Sequence, residues 1–230
     1  TSPAKLTCLL TFLLPLTALA DSHSEGPKTA LLLYCNYSDH ELPHEDQQDI
    51  DNLFGIGGVT SGINRSLWEE SHGKAWFTSV KFVEVTLSGP SSQYADRNSS
   101  GEVRSEALLL SGESPSNYDR IITVAYQFID SNGLANVDGQ NIWMNGSLGG
   151  GQLFHEIGHT MGLWHANRWE VYGAQGPFDP RDPAGTHIEY GDKEDNMGGA
   201  GPWNAFHKWR LDYLRFDDGT ALQAPLTGTN

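Results

Sequence analysis

The chemistry of this chain concentrates in the run His155-Glu156-Ile157-Gly158-His159-Thr160-Met161-Gly162-Leu163-Trp164-His165. His155 and His159 stand four apart, so a helix places both imidazoles on one face, one turn apart, where they can share a metal ion. Glu156 adjoins the first of them and can reach toward water at the metal instead of the metal itself. Gly162 has no Cβ, so the chain can leave the helix there through a left-handed turn, and that turn can bring His165 back as a third ligand. Three neutral imidazoles leave the fourth tetrahedral position of Zn²⁺ open, the arrangement of a catalytic site and not of a closed structural one. The whole pattern, H-E-x-x-H-x-x-G-x-x-H, is an extended zinc motif. A helix that merely carried three solvated histidines would give no reason for Gly162, which costs about 1 kcal/mol in a helix interior. Imidazoles must be neutral to bind a metal, so the sequence alone predicts loss of zinc around pH ~5 to 6.

The elements that must hold these residues follow from local pattern. Gly149-Gly150-Gly151 precede the motif and suit a helix beginning near Gln152. Residues 29–35 read as a buried strand, 49–54 as a short helix ending at Gly55, and 61–70 as a helix capped by Ser61 with Ile63 and Leu67 on one face. Residues 75–87 alternate as a long strand or hairpin, 89–101 read as a polar loop, and 102–110 as a helix with Val103, Ala107 and Leu110 inward. Residues 120–128 are β-rich. Two short strands, 133–137 and 140–145, flank the turn signal Asp138-Gly139, and the first is expected at the rim of a cleft. Beyond His165, residues 166–201 are rich in Gly, Pro and Asp and carry no periodicity. Asn204 can cap a last helix bearing Phe206, Trp209 and Tyr213. Met197, in Asp195-Asn196-Met197-Gly198, lies 32 residues after His165 and fits a tight turn that floors the metal site by packing, not by ligation.

The zinc motif together with this methionine turn resembles the metzincins. Within them the chain is similar to the gametolysin-like family (peptidase family M11). Trp68-Glu69-Glu70-Ser71-His72-Gly73-Lys74 resembles that family's E-x-S-Y-G-K segment, with His72 in place of the usual tyrosine. Tyr118-Asp119-Arg120-Ile121-Ile122 with Gly133-Leu134-Ala135 and Trp143 resembles its central strands. Glu189-Tyr190-Gly191-Asp192 before Met197-Gly198, then Asn204-Ala205-Phe206-His207-Lys208-Trp209, resembles its methionine turn and closing helix. The likeness spans residues 29–216, leaving 217–230 as a tail or the start of a continuation. It implies an α/β (α+β) fold of two lobes, with a twisted mixed sheet and the active-site helix above and irregular chain below. It implies one catalytic zinc on His155, His159 and His165, and Glu156 as the base that activates water for peptide-bond hydrolysis. The substrates expected are extracellular or cell-wall proteins. The family's asparagine after the second histidine is Thr160 here. Some metzincins place a tyrosine two residues after the methionine, where this chain has Gly199. Tyr190 and His207 are therefore candidates for contacting substrate. The competing class is an inactive secreted binding protein that keeps the fold, and an intact Glu156 speaks against it.

Residues 1–20 read as a secretory signal peptide: Lys5, an apolar run from Leu6 to Leu19, and Ala18-Leu19-Ala20 before Asp21. The run is too short for a membrane anchor and Pro15 interrupts it. Four sequons follow, at Asn36, Asn64, Asn98 and Asn145, which predicts a secreted, extracellular glycoprotein. Of the two cysteines, Cys8 leaves with the leader. Cys35 stands alone in an apolar run and reads as core, with a zinc-capping thiol as the rival role. A formal charge of −15, which becomes −16 once Lys5 is removed, argues against nucleic acid and anionic membranes as partners. Protein or peptide substrate is the partner expected, and nothing in the sequence sets an oligomeric state. His40 and His44, among Asp39, Glu41, Glu45 and Asp46, could form a second metal site, but their spacing matches no motif.

Overall fold

The structure, a computed structural model, describes residues 23–95, 98–170 and 185–215. The predicted leader (1–20) and tail (217–230) lie outside the described residues. Strand β1 (Gly26–Asn36) is apolar on both faces, as a central parallel strand must be. Helix α1 (Gln47–Phe54) starts two residues earlier than its apolar pattern suggests, because Asp46 and Asp49 form a capping box worth about 1 kcal/mol. Helix α2 (Gly62–Glu70) follows Ser61, but the Ser61 hydroxyl makes none of the capping bond expected of it. Strand β2 (Ala75–Thr86) is one long strand and not a hairpin. The expected polar loop contains a single turn of helix, α3 (Ser91–Tyr94), and yields to α4 (Ser100–Ser111). Val103 and Ala107 of α4 are buried as expected, whereas Leu110, next to the helix end, stays 50% exposed.

Strands β3 (Arg120–Ala125), β4 (Gly133–Ala135) and β5 (Asn141–Asn145) complete the sheet. Its order is β2-β1-β3-β5-β4, parallel except for β4, which runs antiparallel to β5 around Asp138. The zinc-motif helix is α5 (Gly150–Thr160). Below it the described residues are irregular save for a small antiparallel pair, β6 (Arg168–Glu170) with β7 (Thr186–Ile188), and a last helix, α6 (Ala205–Arg210). The result is the mixed α/β arrangement expected, with a sheet-and-helix upper part and an irregular lower part.

Alternation along β1 divides the core in two. Ala30, Leu32 and Tyr34 join α1, α2 and α5 through Phe54, Leu67, Leu153 and Ile157. Leu31, Leu33 and Cys35 turn to the other face, against Val103 and Ala107 of α4. Burying each such side chain contributes about 1.5–3 kcal/mol, so both layers hold the sheet in place under the metal helix. The outer edge of β2 is met by two side-chain amides. Gln47 accepts from the Phe82 N–H at 3.0 Å and donates to the Val80 carbonyl at 2.8 Å. Asn64 accepts from the Phe77 N–H at 2.7 Å and donates to its carbonyl at 2.8 Å. At the opposite edge is β4, three residues long. No helix among the described residues is long and apolar enough to cross a membrane.

Cys35 is fully buried in the α4 layer, on the sheet face away from α5, and burial pushes its thiol pKa well above the ordinary value. It is core and cannot reach the metal helix. A chain beginning at Asp21 should therefore show no thiol reactive toward an aromatic disulfide reagent when native and one per chain when denatured. A native thiol that titrates at once would contradict this placement.

Candidate metal centre

Helix α5 presents His155 and His159 on one face with ring centroids 4.7 Å apart. The helix then ends in a turn at Gly162, φ +101°, where Leu163 N–H bonds back to the Gly158 carbonyl at 3.1 Å. That turn returns His165 to within 4.9 Å of His159 and 5.5 Å of His155, centroid to centroid. One nitrogen from each of the three lies within 4.8 Å of the other two. The histidine triad read from the sequence is thus a cluster in space, and two of its members are buried.

The second nitrogen of each ring settles which atom faces inward. His155 Nδ1–H donates to the Asn196 carbonyl at 2.8 Å, and His159 Nδ1–H to the Leu163 carbonyl at 2.8 Å. His165 Nδ1–H donates to Glu189 Oε1 at 2.7 Å. A carbonyl or carboxylate oxygen can only accept, so each ring is held as the tautomer whose Nε2 lone pair is free. Oriented imidazoles with outer-sphere acceptors are what a zinc ion requires. The donor set therefore fits zinc: three neutral nitrogen ligands, with the remaining side opening onto the cleft. Burial lowers the pKa of His155, and it lowers that of His159 to about 4.

Glu156 is 2% exposed and accepts from Gln152 Nε2 at 2.6 Å. Burial raises its pKa to about 7, with the Gln152 bond opposing. A carboxyl poised there suits proton transfer near neutral pH. Its place depends on β4, because a Cβ on Gly133 would lie 2.5 Å from Glu156 Oε1. Sequence reading did not single out Gly133, Gln152 or Glu189. A glycine in an edge strand marks close approach, and that signal was available for Gly133.

Met197 is fully buried, its sulfur against the bare face of Gly158 in the metal helix. It packs, as expected, and its N–H bonds to Asp195 Oδ1 at 2.6 Å. Thr160, in place of the family's asparagine, is buried and joins Arg120 Nε at 2.7 Å to the end of α5. Tyr190 enters the site: its ring lies 3.8 Å from that of His165, on a backbone with φ +57°. Burial, then the charges of Glu189 and Glu156, raise its phenol pKa, so it is a hydrogen-bond donor in the cleft. His207 does not enter the site. It is 3% exposed and bonded to Asp195 Oδ2 at 2.8 Å.

A cleft of about 620 Å³ runs over these residues, bounded by Gly133 to Ala135 of β4 on one side and by Tyr190, Gly198 and Gly199 on the other. Leu134, 45% exposed, stands on its rim as expected of an edge strand. His40 and His44 form no second centre: among the described residues the one histidine-and-acid cluster is the triad, and His40 instead stacks on Tyr126 at 4.2 Å.

The sequons divide. Asn36 is buried, its amide spanning Glu84 at 2.6 Å and Leu42 N–H at 2.8 Å. Asn64 is buried and bonded to β2 as described above. A glycan on either Nδ2 would break these bonds. Asn145 donates to the Ile129 and Ser131 carbonyls at 3.0 Å each. Asn98 is exposed.

No protein-family model and no curated protein matches the chain. Among solved structures it is similar to an archaemetzincin from Methanopyrus kandleri, with 15% identity over 83% of this chain and 96% of that one, at a TM-score of 0.41. It is also similar to a chain of a chaperone–substrate complex, with 9% identity over 82% of this chain and 34% of that one, at a TM-score of 0.43. Likeness at that level leaves function to the geometry of the site.

The histidine geometry revises the acid limit read from the sequence. The unfolded chain protonates this imidazole near its ordinary 6.5, whereas folded His159 resists until about 4. Protein purified at neutral pH should carry one zinc per chain, lost to phenanthroline. Because burial disfavours the protonated forms of His155 and His159, acid release of that zinc should fall below the pH at which free imidazoles protonate. Glu189→Ala should weaken zinc binding by roughly 10- to 100-fold. Complete zinc loss already near pH ~6.5, measured by metal analysis after dialysis, would contradict the assignment.

Proposed function

We propose that the chain is a zinc-dependent endopeptidase of metzincin type. The observation that carries this reading is the set of three imidazoles, each tied through Nδ1 to an acceptor and each turning Nε2 toward one point, with a buried carboxyl beside them. His155, His159 and His165 would hold the ion, which when bound supplies Lewis acidity to acidify water and polarise a carbonyl.

The chain's own residues account for the rest. Glu156, with its pKa near 7, accepts a proton from attacking water and returns it to the leaving amine. Gln152 fixes the rotamer of that carboxyl. The edge of β4 offers free backbone groups along the cleft, where an extended peptide can pair as an added strand. Tyr190 offers a phenol donor on the facing wall. Gametolysin-like membership, secretion, glycosylation at Asn98 and extracellular protein substrates belong to the same proposal. Their support is the quoted segments, the leader-like residues 1–20 and the sequon pattern.

Glu156→Ala tests enzyme against binder, because the carboxyl is not needed to hold the metal. That variant should keep stoichiometric zinc and its melting profile and lose proteolysis by 10²–10⁴-fold or more, while His159→Ala loses metal and activity together. Wild type and Glu156→Ala equally inert toward a broad peptide library, zinc present in both, would favour an inactive binding protein. Separately, Ala135→Pro removes an outward-facing backbone donor from the cleft edge, since the register pairs Leu134 and not Ala135 with β5 through hydrogen bonds, and should cut peptide hydrolysis with zinc content unchanged. Normal cleavage by that variant would move the substrate edge elsewhere.

A further inference from the structure

Three large aromatic side chains of the lower part stand in solvent: Trp164 is 64% exposed, Phe206 61% and Trp209 56%. Helix α6 buries His207 and leaves Phe206 and Trp209 outward. Exposed aromatic surface gathered in one place marks a binding site more often than an accident of packing. Here it is shaped. A second groove, of about 480 Å³, runs between the loop after α5 and helix α6, with Trp164 and Phe206 in its walls. Trp164 and His165 line both this groove and the cleft over the histidines, so the two adjoin at the indole.

Four polar atoms of the side chains that line the groove are already engaged with the chain itself. Asn167 Oδ1 accepts from Tyr190 N–H at 3.1 Å, and Asn204 Oδ1 from His207 N–H at 2.9 Å. Asn204 Nδ2 donates to Asp192 at 3.2 Å, and Arg210 Nε to the Gly162 carbonyl at 2.9 Å. A sugar would need such groups turned toward it, whereas a hydrocarbon or aromatic side chain needs only the ring faces. We infer that the groove between Trp164 and Phe206 is a specificity subsite for one large apolar side chain, aromatic or aliphatic, of a polypeptide lying in the metal cleft. The inference rests on the peptidase reading.

The test uses the full chain, zinc-loaded, as the Glu156→Ala variant so that ligands are bound and not cut. Fluorescein-labelled decapeptides carry a single Phe moved stepwise through a Gly-Ser background, and binding is read by anisotropy. One Phe position should bind about tenfold to a hundredfold tighter than the background peptide. Trp164→Ala and Phe206→Ser should each abolish that preference, read as a ratio of affinities, with zinc content measured alongside. A preference that survives both substitutions, or peptides bound by this variant and hydrolysed by wild type with no apolar preference at any position, overturns the subsite and leaves the peptidase reading standing. No peptide bound by this variant and none cut by wild type overturns the reading beneath it, and the subsite with it. Binding of chitotriose or cellotriose that Phe206→Ser removes, with no Phe preference, overturns it in favour of a glycan platform.

Discussion

The buried carboxylate of Asp195 holds the lower half of the site together. It is fully buried, and its two oxygens receive Met197 N–H at 2.6 Å, Asn204 N–H at 2.6 Å and His207 Nδ1 at 2.8 Å. Its own carbonyl receives the N–H groups of Gly198 and Gly199. Burial pushes its pKa up, but the bonds from His207, Asn204 and Met197 together hold it below the usual carboxylate value. A buried charge left without those donors would be costly. One side chain thus fixes the methionine turn, the start of α6 and, through the neighbouring Asn196 carbonyl, the orientation of His155. The Ala166 N–H bond to the Met197 carbonyl at 3.0 Å ties the same turn to the residue after His165. Two ligands therefore take their positions from a residue that touches neither.

The upper half works by exclusion. Gly133 lets the sheet edge come against Glu156, and the consequence is a carboxyl with little water around it. The same dryness raises the Glu156 pKa and lowers those of His155 and His159. These are opposite shifts with one cause, loss of solvent around whichever form is charged. A cation among the imidazoles would favour the ionised carboxylate and the neutral rings alike.

What the sequence made legible was what depends on spacing. The His155–His159 interval, the Gly162 turn, the return of His165 and the burial of Met197 all follow from offsets along the chain, and the structure brings them together. The short strands were legible from the turn signal at Asp138-Gly139, and the central β1 from its unbroken apolar run. What was not legible depends on partners distant in sequence. Glu189 lies 24 residues from His165, and no local pattern joins them. Asp195 and His207 stand in different elements. Asn36 and Asn64 satisfy a three-residue glycosylation pattern, but a tripeptide carries no information about burial. Which face of α6 turns inward was not legible, because the helix is too short for periodicity to decide between Phe206 and His207.

The amides of Gln47 and Asn64 on the rim of β2 act as counterfeit strands. Each presents one donor and one acceptor to backbone groups that would otherwise invite a neighbouring molecule to add itself to the sheet. Asn64 in particular cannot be given up to a sugar without reopening that rim. The sheet is consequently asymmetric toward its surroundings. One margin is sealed by its own side chains, and the other, a three-residue margin beside the histidines, is left receptive. A foreign strand that approaches this second margin meets backbone it can pair with directly beside the three histidines.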